Sequence, residues 1–360
     1  MESIDTPKFV LKDDRGRKYH NLPGTKVVSI KDQVLISSGV LSLDSLIGGG
    51  LPLGSIFLIE EDEFGVFSKY LAKYFLAEGI ACKHCLYIAS IDCDTRQLVK
   101  DLPSPVEFSV SSRSSDQNAD DLKIAWRYRD TPMVQSSPSL SGAPVFGHNF
   151  DLTSPYSKEV LDNAEITHWP YDTNCENPYS ALLSDLYSHI QKQGHSVKLA
   201  QPRRTVLRIV LHSLGSPLWP QPDYLPRFLL SLRHMLQAAF ACVLITLSTD
   251  MVERAVVEQC EHLSDTVVRL QSLANNSNPA YSEYNGLLSV VKLCSLNTLT
   301  SHTPDTHDWA FKLRKRKFVV EKLHLPPELL ESAQREQDEI ISTPTMSCAT
   351  SGGRGKALDF

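Results

Sequence analysis

The sequence lacks any apolar run that approaches the roughly 18 residues of a membrane-spanning helix. Its first residues, MESIDTPKFVLKDD, contain no apolar core of the kind that a secretory signal peptide needs. The 8 cysteines form no dense framework, and most lie in apolar stretches, as Cys242 and Cys294 do. This distribution argues against structural disulfides and favours buried, reduced thiols. We therefore expect a protein of the cytoplasm and nucleus with no contact to a membrane.

An excess of positive charge is also missing, since 36 Lys and Arg stand against 42 Asp and Glu, a net charge of −6. A globally basic nucleic-acid binder is thereby excluded, and any contact with RNA has to be local. Internal repeats are absent as well. The 360 residues are enough to bury the core of one large domain, or of one domain with insertions.

What the sequence does contain is an alternation of strand-like and helical patterns, which predicts an α/β fold with a mostly parallel sheet between helices. The predicted strands are residues 55–59, 85–89, 206–211, 242–247 and 266–270, and the predicted helices are residues 68–78, 178–194, 226–239 and 251–262. Gly79 is expected to end the first helix, and Asn177 to cap the second. Residues 286–296 and 309–323 alternate in polarity and are predicted to be two antiparallel strands that complete the sheet.

The same patterns divide the chain into an N-terminal extension (1–35), one domain (36–325) and a C-terminal helix with a flexible tail (326–360). Residues 100–165 lose periodicity and are rich in Ser, Pro, Asp and Asn, so we predict an irregular insertion there. Within it, Trp126 with Arg127 and Arg129, and the segment 146–152, are expected to anchor the insertion or cover an interface rather than bind a ligand.

Residues 54–68 have the frame of a phosphate-binding loop without the residues that bind phosphate. A Walker A loop reads G-x-x-x-x-G-K-[ST] between a strand and a helix, and its backbone N–H groups and its Lys surround the phosphates. Here Glu60 stands at the first Gly position and Gly65 keeps the second, while Val66 and Phe67 replace the Lys and the Ser/Thr. The alternative is an acidic connection between a strand and a helix that was never a phosphate loop.

Carboxylates occupy or adjoin the space where a polyphosphate would lie, and they belong to Glu60, Glu61, Asp62 and Glu63. Each would repel a phosphate charge by roughly 1 to 4 kcal/mol at contact distance. Loss of the Lys removes the charge that would offset this repulsion, and loss of the hydroxyl removes a Mg²⁺ ligand. We expect these residues to bind no nucleotide, the chain to need no cofactor, and ATP not to be hydrolysed by this chain alone.

The second half of a metal–phosphate apparatus is missing too. A Walker B strand ends in an Asp that orders Mg²⁺, whereas the strand before Gly215 places His212 or Ser213 there. In related ATPases an acid that activates water follows the neighbouring strand. Asp92 and Asp94 lie near that position but out of register, and helix capping is the favoured role for them.

Cys82 and Cys85 have the spacing of metal ligands. A structural zinc site needs four ligands, however, and no second pair in the chain has a matching spacing. His84 and Cys93 could be imagined as further ligands without any pattern that selects them. We therefore predict no metal site.

The densest positive charge lies in one short segment, which contains Lys312, Arg314, Lys315, Arg316 and Lys317. On a single strand, the side chains of residues 312, 314 and 316 would share one face. Such a row could bind RNA phosphates, and the binding would depend strongly on salt. The alternative is a charged strand that protects a sheet edge or pairs with acidic residues of a neighbouring subunit. Aromatic side chains that could stack on bases are sparse there.

Residues 38–60 resemble the entry to the core of RecA-like ATPases, whose pattern is roughly T-G-x-x-x-L-D-x-L-L-G-G-G followed by a further Gly and an apolar strand. The matching positions are Gly39, Leu43, Asp44, Leu46, Gly48, Gly49, Gly50, Leu51 and Gly54. More specific runs are LIEED (58–62), KYFLAEGI (73–80), KIAWRY (123–128), FGHNFDL (146–152), LRIVLHSLGSPLW (207–219), FKLRKRKFVVEKLHLPPEL (311–329) and GRGKALDF (353–360). Together they resemble the family of fourth Elongator subunits, also called the PAXNEB family, over about residues 20–360.

The resemblance implies a RecA-like fold and a heterohexameric ring built with the fifth and sixth Elongator subunits. It further implies docking of that ring on the catalytic subcomplex, binding of tRNA, and support of carboxymethyl-type modification of the wobble uridine. The chemistry would belong to another subunit, so this chain would be an accessory protein rather than an enzyme. Two alternatives remain open. One is an active ATPase of the recombinase or circadian-clock type, and the other is a scaffold that acts on DNA in repair.

Overall fold

A computed structural model of the chain describes residues 22–28, 33–106, 146–172, 175–197, 205–276, 278–296, 302–304 and 306–324. The predictions for Trp126, Arg127 and Arg129, and for the C-terminal helix and tail, lie outside these residues. So does most of the predicted N-terminal extension. The proposed domain boundaries therefore stay predictions.

The predicted strands and helices occur in the predicted order, together with short elements that the patterns did not predict. In the first half they are β1 (Thr25–Val28), β2 (Gln33–Ile36), α1 (Leu41–Leu46), β3 (Leu51–Pro52), β4 (Ile56–Glu60), α2 (Val66–Ala81), β5 (Cys85–Ser90), α3 (Thr95–Lys100), β6 (Pro103–Pro105), β7 (Phe150–Pro155), α4 (Lys158–Asp162) and β8 (Ile166–His168). In the second half they are α5 (Pro178–Lys192), β9 (Leu207–Leu214), α6 (Leu225–Leu236), β10 (Ala241–Leu247), α7 (Arg254–Leu263), β11 (Thr266–Ser272), β12 (Gly286–Lys292), β13 (Trp309–Leu313) and β14 (Phe318–Lys322).

The centre of the fold is a 9-stranded sheet with the strand order β14-β13-β12-β11-β4-β10-β9-β5-β8. The strands from β11 to β8 pair in parallel, and β12, β13 and β14 add to β11 as antiparallel strands. The predicted mixed α/β sheet, with antiparallel strands near the C-terminus, is thus confirmed. No helix in the described part of the chain is long and apolar enough to cross a membrane.

Helices cover both faces of this sheet because successive side chains of a strand point to opposite faces. On β4, Phe57 and Ile59 join the core cluster that contains α2, whereas Ile56 and Leu58 join the cluster that contains α5, α6 and α7. All five residues of β4 are buried. Burial of each large apolar side chain contributes about 1.5–3 kcal/mol to folding, so this central strand is firmly held.

Gly79 does not end the first helix, contrary to the sequence-based prediction. It lies inside α2, where an added Cβ would be 2.5 Å from Leu86 Cδ2 and 2.9 Å from Arg208 Cδ. A glycine is needed there because the helix packs closely against β5 and β9, not because the chain turns. The helix continues to Ala81, and Lys83 then takes a left-handed conformation with φ 57°.

Residues 309–323 are not one strand, and this prediction was wrong. They form the hairpin β13–β14, in which residues 314–317 make the turn. The Arg314 N–H donates to the Lys317 carbonyl at 2.9 Å, and the Lys317 N–H donates to the Arg314 carbonyl at 3.2 Å. The apolar side chains of both strands pack on the core. The basic residues between the strands lie in the exposed turn, where their charges stay in water.

The prediction of an irregular segment over residues 100–165 is wrong at both of its ends. There, β6 and β7 pair as an antiparallel ribbon and α4 follows, and β8 begins directly after the segment. These elements are short, rich in Pro and polar residues and largely half-buried or exposed, so they carry no apolar periodicity.

The cap of α5 is confirmed, since Asn177 Oδ1 accepts a hydrogen bond from the Ser180 N–H at 3.1 Å.

Candidate functional site

The strand–loop–helix frame predicted for residues 54–68 is present at the centre of the sheet. β4 lies between β10 and β11, and the loop at its carboxyl end leads directly into α2. Gly65 precedes the helix with φ 61°, a left-handed conformation that glycine adopts without strain. Because β4 and its neighbours β10 and β11 are parallel, their carboxyl ends lie at the same edge of the sheet as this loop. Ligands bind at that edge in open α/β sheets.

The first turn of α2 is occupied by the carboxylate of Asp62. Its Oδ2 accepts a hydrogen bond from the Val66 N–H at 3.2 Å, and its Oδ1 accepts from Phe67 at 2.9 Å and Ser68 at 3.3 Å. The first N–H groups of a helix have no partner within the helix, and in a phosphate loop an anion binds them. The buried Asp62 side chain thus fills the anion site of its own loop.

Glu60 is committed to an ion pair within the sheet. The Arg269 Nε donates to Glu60 Oε2 at 2.5 Å, and the same guanidinium reaches Glu261 at 3.2 Å. The two partners are adjacent because Arg269 and Glu60 are in register on β11 and β4. The bond to Glu60 raises the pKa of Arg269. Burial first, and the nearby Glu60 second, raise the pKa of the Glu261 carboxyl.

Glu61 connects the loop after β4 with the end of β9, the strand that stands at the Walker B position. Its Oε2 accepts a hydrogen bond from the Ser213 hydroxyl at 3.2 Å, across from β4 to the end of β9. Burial raises the pKa of Glu61, the hydrogen bonds from Thr246 and Ser213 oppose that shift, and the charge of Asp62 adds to it.

His212 is buried next to Ser213, and neither of its ring nitrogens has a hydrogen-bond partner among the described residues. Burial lowers its pKa to about 4, the charge of Lys69 acts in the same direction, and Asp92 opposes it.

Asp92 itself accepts a hydrogen bond from the Ser216 hydroxyl at 2.6 Å. The capping role predicted here is confirmed for Asp94, which accepts from the Arg96 N–H at 2.8 Å at the start of α3.

The positions of the missing Lys and Ser/Thr carry apolar side chains with different environments. Val66 is 46% exposed, and nearby Phe64 is 64% exposed. Phe67 packs instead against Phe311 of β13, with a ring-centroid distance of 4.7 Å. The place of the Mg²⁺-binding hydroxyl has therefore become a contact between α2 and the C-terminal hairpin, and Glu63 is left exposed at the tip of the loop.

The two cysteines with metal-ligand spacing have separate partners. The Cys82 thiol donates to Glu78 Oε1 at 3.2 Å, and the Cys85 thiol donates to Glu165 Oε2 at 2.7 Å. The partners differ because the two cysteines belong to different elements: Cys82 caps the C-terminus of α2, and Cys85 is the first residue of β5.

The basic segment is divided by the hairpin turn. Lys312 lies on β13, is largely buried, and forms ion pairs with Glu283 at 3.1 Å and Glu321 at 2.5 Å. Its ammonium also lies 4.4 Å from the centroid of the Tyr284 ring. The other basic residues are exposed in the turn, namely Arg314, Lys315, Arg316 and Lys317. The single row predicted from the sequence is thus not formed, because β13 ends at Leu313 and residues 314–317 make the turn.

A cavity of about 730 Å³ lies beside the turn. It is lined by the turn, by Phe150 and Phe318, and by His148 and Asp151. Arg316 Nε lies 3.9 Å from an Asp151 carboxylate oxygen across this opening. The segment 146–152 thus reaches the basic turn, a juxtaposition that the sequence pattern could not predict because the two parts are remote in the chain.

The comparisons with known proteins agree with the resemblance. The PAXNEB protein family model matches residues 18–360. Elongator complex protein 4 of Danio rerio is 38% identical over 372 residues, which cover 94% of this chain and 92% of that protein. The protein of the same name from Xenopus laevis is 35% identical, with 100% and 97% covered, and that from Homo sapiens is 31% identical, with 98% and 92% covered. The chain therefore belongs to the PAXNEB protein family.

Proposed function

We propose that this chain is the fourth subunit of an Elongator complex and that it acts there without catalysing a reaction. The support from comparison is that relatives named Elongator complex protein 4 match nearly the whole chain, at 31–38% identity in the three vertebrates given above. The support from geometry is the anion site of the loop, which Asp62 fills with its own carboxylate.

The loop geometry is the observation that carries the non-catalytic part of the proposal. A phosphate would have to displace the Asp62 carboxylate from three backbone N–H groups. It would also approach Glu61, and each such contact between like charges costs roughly 1 to 4 kcal/mol. Val66 supplies no charge to offset that repulsion. An ATPase of the usual phosphate-loop type does not function under these conditions.

We infer a RecA-like core for the parallel part of the sheet. The motif of residues 38–60 leads into β4, which is flanked on both sides by parallel strands and is followed by the loop and α2. In that reading the chain keeps the framework of an ATPase and uses it for assembly, since sheet edges and the faces between protomers still specify a closed ring.

The proposed assembly is a heterohexameric ring with the fifth and sixth Elongator subunits, docked on the catalytic subcomplex in the cytoplasm and nucleus. Large apolar side chains are exposed beyond the carboxyl ends of three adjacent parallel strands, β4, β10 and β9, on the following loops and at the first residue of α2. They are Phe64, Val66, Met251 and Leu218, each between 46% and 66% exposed. Exposed apolar side chains grouped at one edge of a sheet are typical of a surface that another subunit covers.

We further propose that the ring binds tRNA during modification of the wobble uridine, and that the turn of β13–β14 contributes to it. Arg314, Lys315, Arg316 and Lys317 are exposed within four consecutive positions, in a chain whose net charge is −6. Phosphate contacts need this kind of accessible cation. Lys312 supports the turn through its ion pairs rather than by direct contact.

The test compares the chain alone with the chain co-expressed with the fifth and sixth subunits. Light scattering measures the mass, titration with tRNA measures RNA binding, and titration with Mg²⁺–ATP measures nucleotide binding. We expect a partner-dependent hexamer that binds tRNA, and no ATP binding by the chain alone. A self-assembled oligomer that binds Mg²⁺–ATP without partners would contradict the proposal in favour of an active ATPase. Preference for duplex DNA over tRNA would favour the repair scaffold.

A further inference from the structure

Three side chains with different donor atoms meet at the C-terminal end of α2. Glu78 and Cys82 are four positions apart, so they lie on the same face of the helix. His148 is contributed by the segment that leads into β7. Glu78 and Cys82 are buried, and His148 is half-buried, with a side-chain exposure of 29%. A carboxylate, a thiol and an imidazole therefore face one another at the border between core and solvent.

The distances within the cluster are close to those of a coordination shell. Cys82 Sγ lies 3.2 Å from Glu78 Oε1, and His148 Nδ1 lies 3.1 Å from both carboxylate oxygens. All three donor atoms lie within 4.8 Å of one another. In a tetrahedral zinc site, with bonds of about 2.0–2.3 Å, neighbouring ligand atoms are roughly 3.3–3.8 Å apart. The Cys82 and His148 donor atoms lie at most 4.8 Å apart, so each would move by about 1 Å or less to convert one arrangement into the other.

We propose that Glu78, Cys82 and His148 bind one transition-metal ion, and that Zn²⁺ is the ion that fits these donors best. Sulfur, nitrogen and oxygen donors together are the set that zinc accepts, and three protein ligands leave a fourth position for water. The partial exposure of His148 provides access from solvent, on the side of the cavity beside the basic turn.

The surrounding structure orients the ligands. The His148 backbone N–H donates to Glu78 Oε2 at 3.0 Å and so fixes the plane of the carboxylate, as hydrogen bonds to metal ligands do. The cluster also lies at the C-terminus of α2, the end of a helix that favours a positive charge. Cys85, the other cysteine of the pair, is held by Glu165 and takes no part.

Arg208 is the group that opposes a cation here. Its guanidinium is fully buried near Glu78, but its hydrogen bonds point to other acceptors, namely His84 Nδ1 at 3.0 Å, the Ser37 carbonyl at 2.8 Å and the Phe75 carbonyl at 3.2 Å. Its charge lowers the affinity for a cation without occupying the site. Binding breaks the S–H bond of Cys82 and releases that proton to solvent as the S–metal bond forms. The proton that His148 Nδ1 shares with the Glu78 carboxylate leaves as well, to Nε2 of the same ring or to solvent, so that Nδ1 can bind the ion, and no oxidant or reductant is involved.

Such an ion would join α2 to the segment that leads into β7. The two parts are far apart in the chain, and the hydrogen bonds of Glu78 already connect them. A metal crosslink would make that connection depend on zinc supply. It would leave the loop after β4 untouched, because that loop lies at the opposite end of the same helix.

The experiment uses the full-length chain, first treated with chelator and then titrated with Zn²⁺ against a chromophoric indicator. A parallel titration with Co²⁺ records the absorption of the sulfur-to-cobalt charge transfer. We expect one equivalent of metal and a charge-transfer band in the unaltered chain. Cys82→Ser should abolish the band and weaken zinc binding about tenfold or more, and His148→Ala should weaken it by a similar factor. The matched control is Cys85→Ser, which should bind as the unaltered chain does.

Absence of stoichiometric binding by the unaltered chain would overturn the proposal. Persistence of the band in Cys82→Ser, or an equal loss in Cys85→Ser, would overturn it too, since either outcome assigns the metal to other thiols. X-ray absorption at the zinc edge of the unaltered chain gives an answer that needs no variant. One sulfur neighbour is expected, and none or two would reject the site even if Cys82→Ser did not fold.

Discussion

The carboxylate of Asp62 lies 2.9 Å from the backbone nitrogen of Phe67, the residue that stands at the Ser/Thr position of a Walker A loop. The same carboxylate accepts from the residues on either side of Phe67. A negative side chain thus satisfies the N–H groups and the positive end of the helix dipole that would otherwise attract a phosphate. The contact that stabilises the start of α2 therefore also occupies the N–H groups that a phosphate would need.

Removal of this carboxylate should lower stability. We expect Asp62→Ala to lower the free energy of unfolding by about 1 to 2 kcal/mol, the range for loss of a helix cap, and Asp62→Asn to lower it less, because an amide oxygen can still accept. Urea unfolding measures the difference. Glu63→Ala, at the exposed neighbouring position, is the control and should change stability by no more than about 0.5 kcal/mol. Equal losses in the Ala variants at 62 and 63 would show that the cap contributes nothing.

The basic turn should determine part of the salt dependence of tRNA binding by the assembled ring. Replacement of Arg314 and Arg316 by Ala should lower the slope of log affinity against log salt by about 0.7 to 0.9 for each phosphate contact that is lost. Fluorescence anisotropy at several salt concentrations measures that slope. Replacement of both Lys158 and Lys192 by Ala, at exposed positions of α4 and α5, removes the same charge and is the control. An unchanged slope in the turn variant would exclude the turn from the RNA interface.

Gly79→Ala should destabilise the protein although alanine favours helices. The gain in helix propensity is about 1 kcal/mol. It is outweighed by the contacts at 2.5 Å with Leu86 and 2.9 Å with Arg208, because an overpacked core costs about 1 to 3 kcal/mol. Thermal unfolding, compared with Ser184→Ala at an exposed helical position, measures the net effect. A rise in melting temperature for Gly79→Ala would mean that α2 does not pack on β5 and β9 in this way.

His212 should make the protein less stable in mild acid. Burial lowers its pKa from 6.5 to about 4, so between these values the unfolded chain binds a proton that the folded chain does not. The unfolded state is therefore favoured as the pH falls from 6.5 to 4, at up to about 1.4 kcal/mol per pH unit. Below pH 4 both states are protonated and the loss stops growing.

His212→Gln should remove this contribution. The loss of unfolding free energy between pH 7 and pH 5 should be smaller in the variant by about 1 to 2 kcal/mol. Urea unfolding at the two pH values measures it, with His262→Gln at an exposed position of α7 as the control for substitution of a histidine. The same pH dependence in the His212 variant and in the unaltered chain would show that this ring is accessible to protons in the folded state.

Features that depend on neighbours along the chain could be predicted from the sequence. The apolar runs of β4 and β10 are buried strands, Asn177 caps α5 and Asp94 caps α3, as local patterns indicated. The absence of the Lys and the Ser/Thr from the loop could also be recognised, because a Walker A motif is defined by residue types at fixed spacing in the sequence. An Asp shortly before a helix is a capping signal in the same sense, and Asp62 could have been recognised from it.

Features that depend on what lies across the sheet could not be predicted in this way. The sequence by itself determined the alternation of strands and helices, the degenerate loop and the family, since each is written in consecutive residues. Only the tertiary structure decided that Glu60 pairs with Arg269, that Lys312 is used in ion pairs, that Gly79 permits close packing, and that Cys82 faces His148 instead of Cys85. The partners in each of these contacts are remote in the chain. They come together only when the sheet has formed, because buried charges then need partners and buried side chains need space.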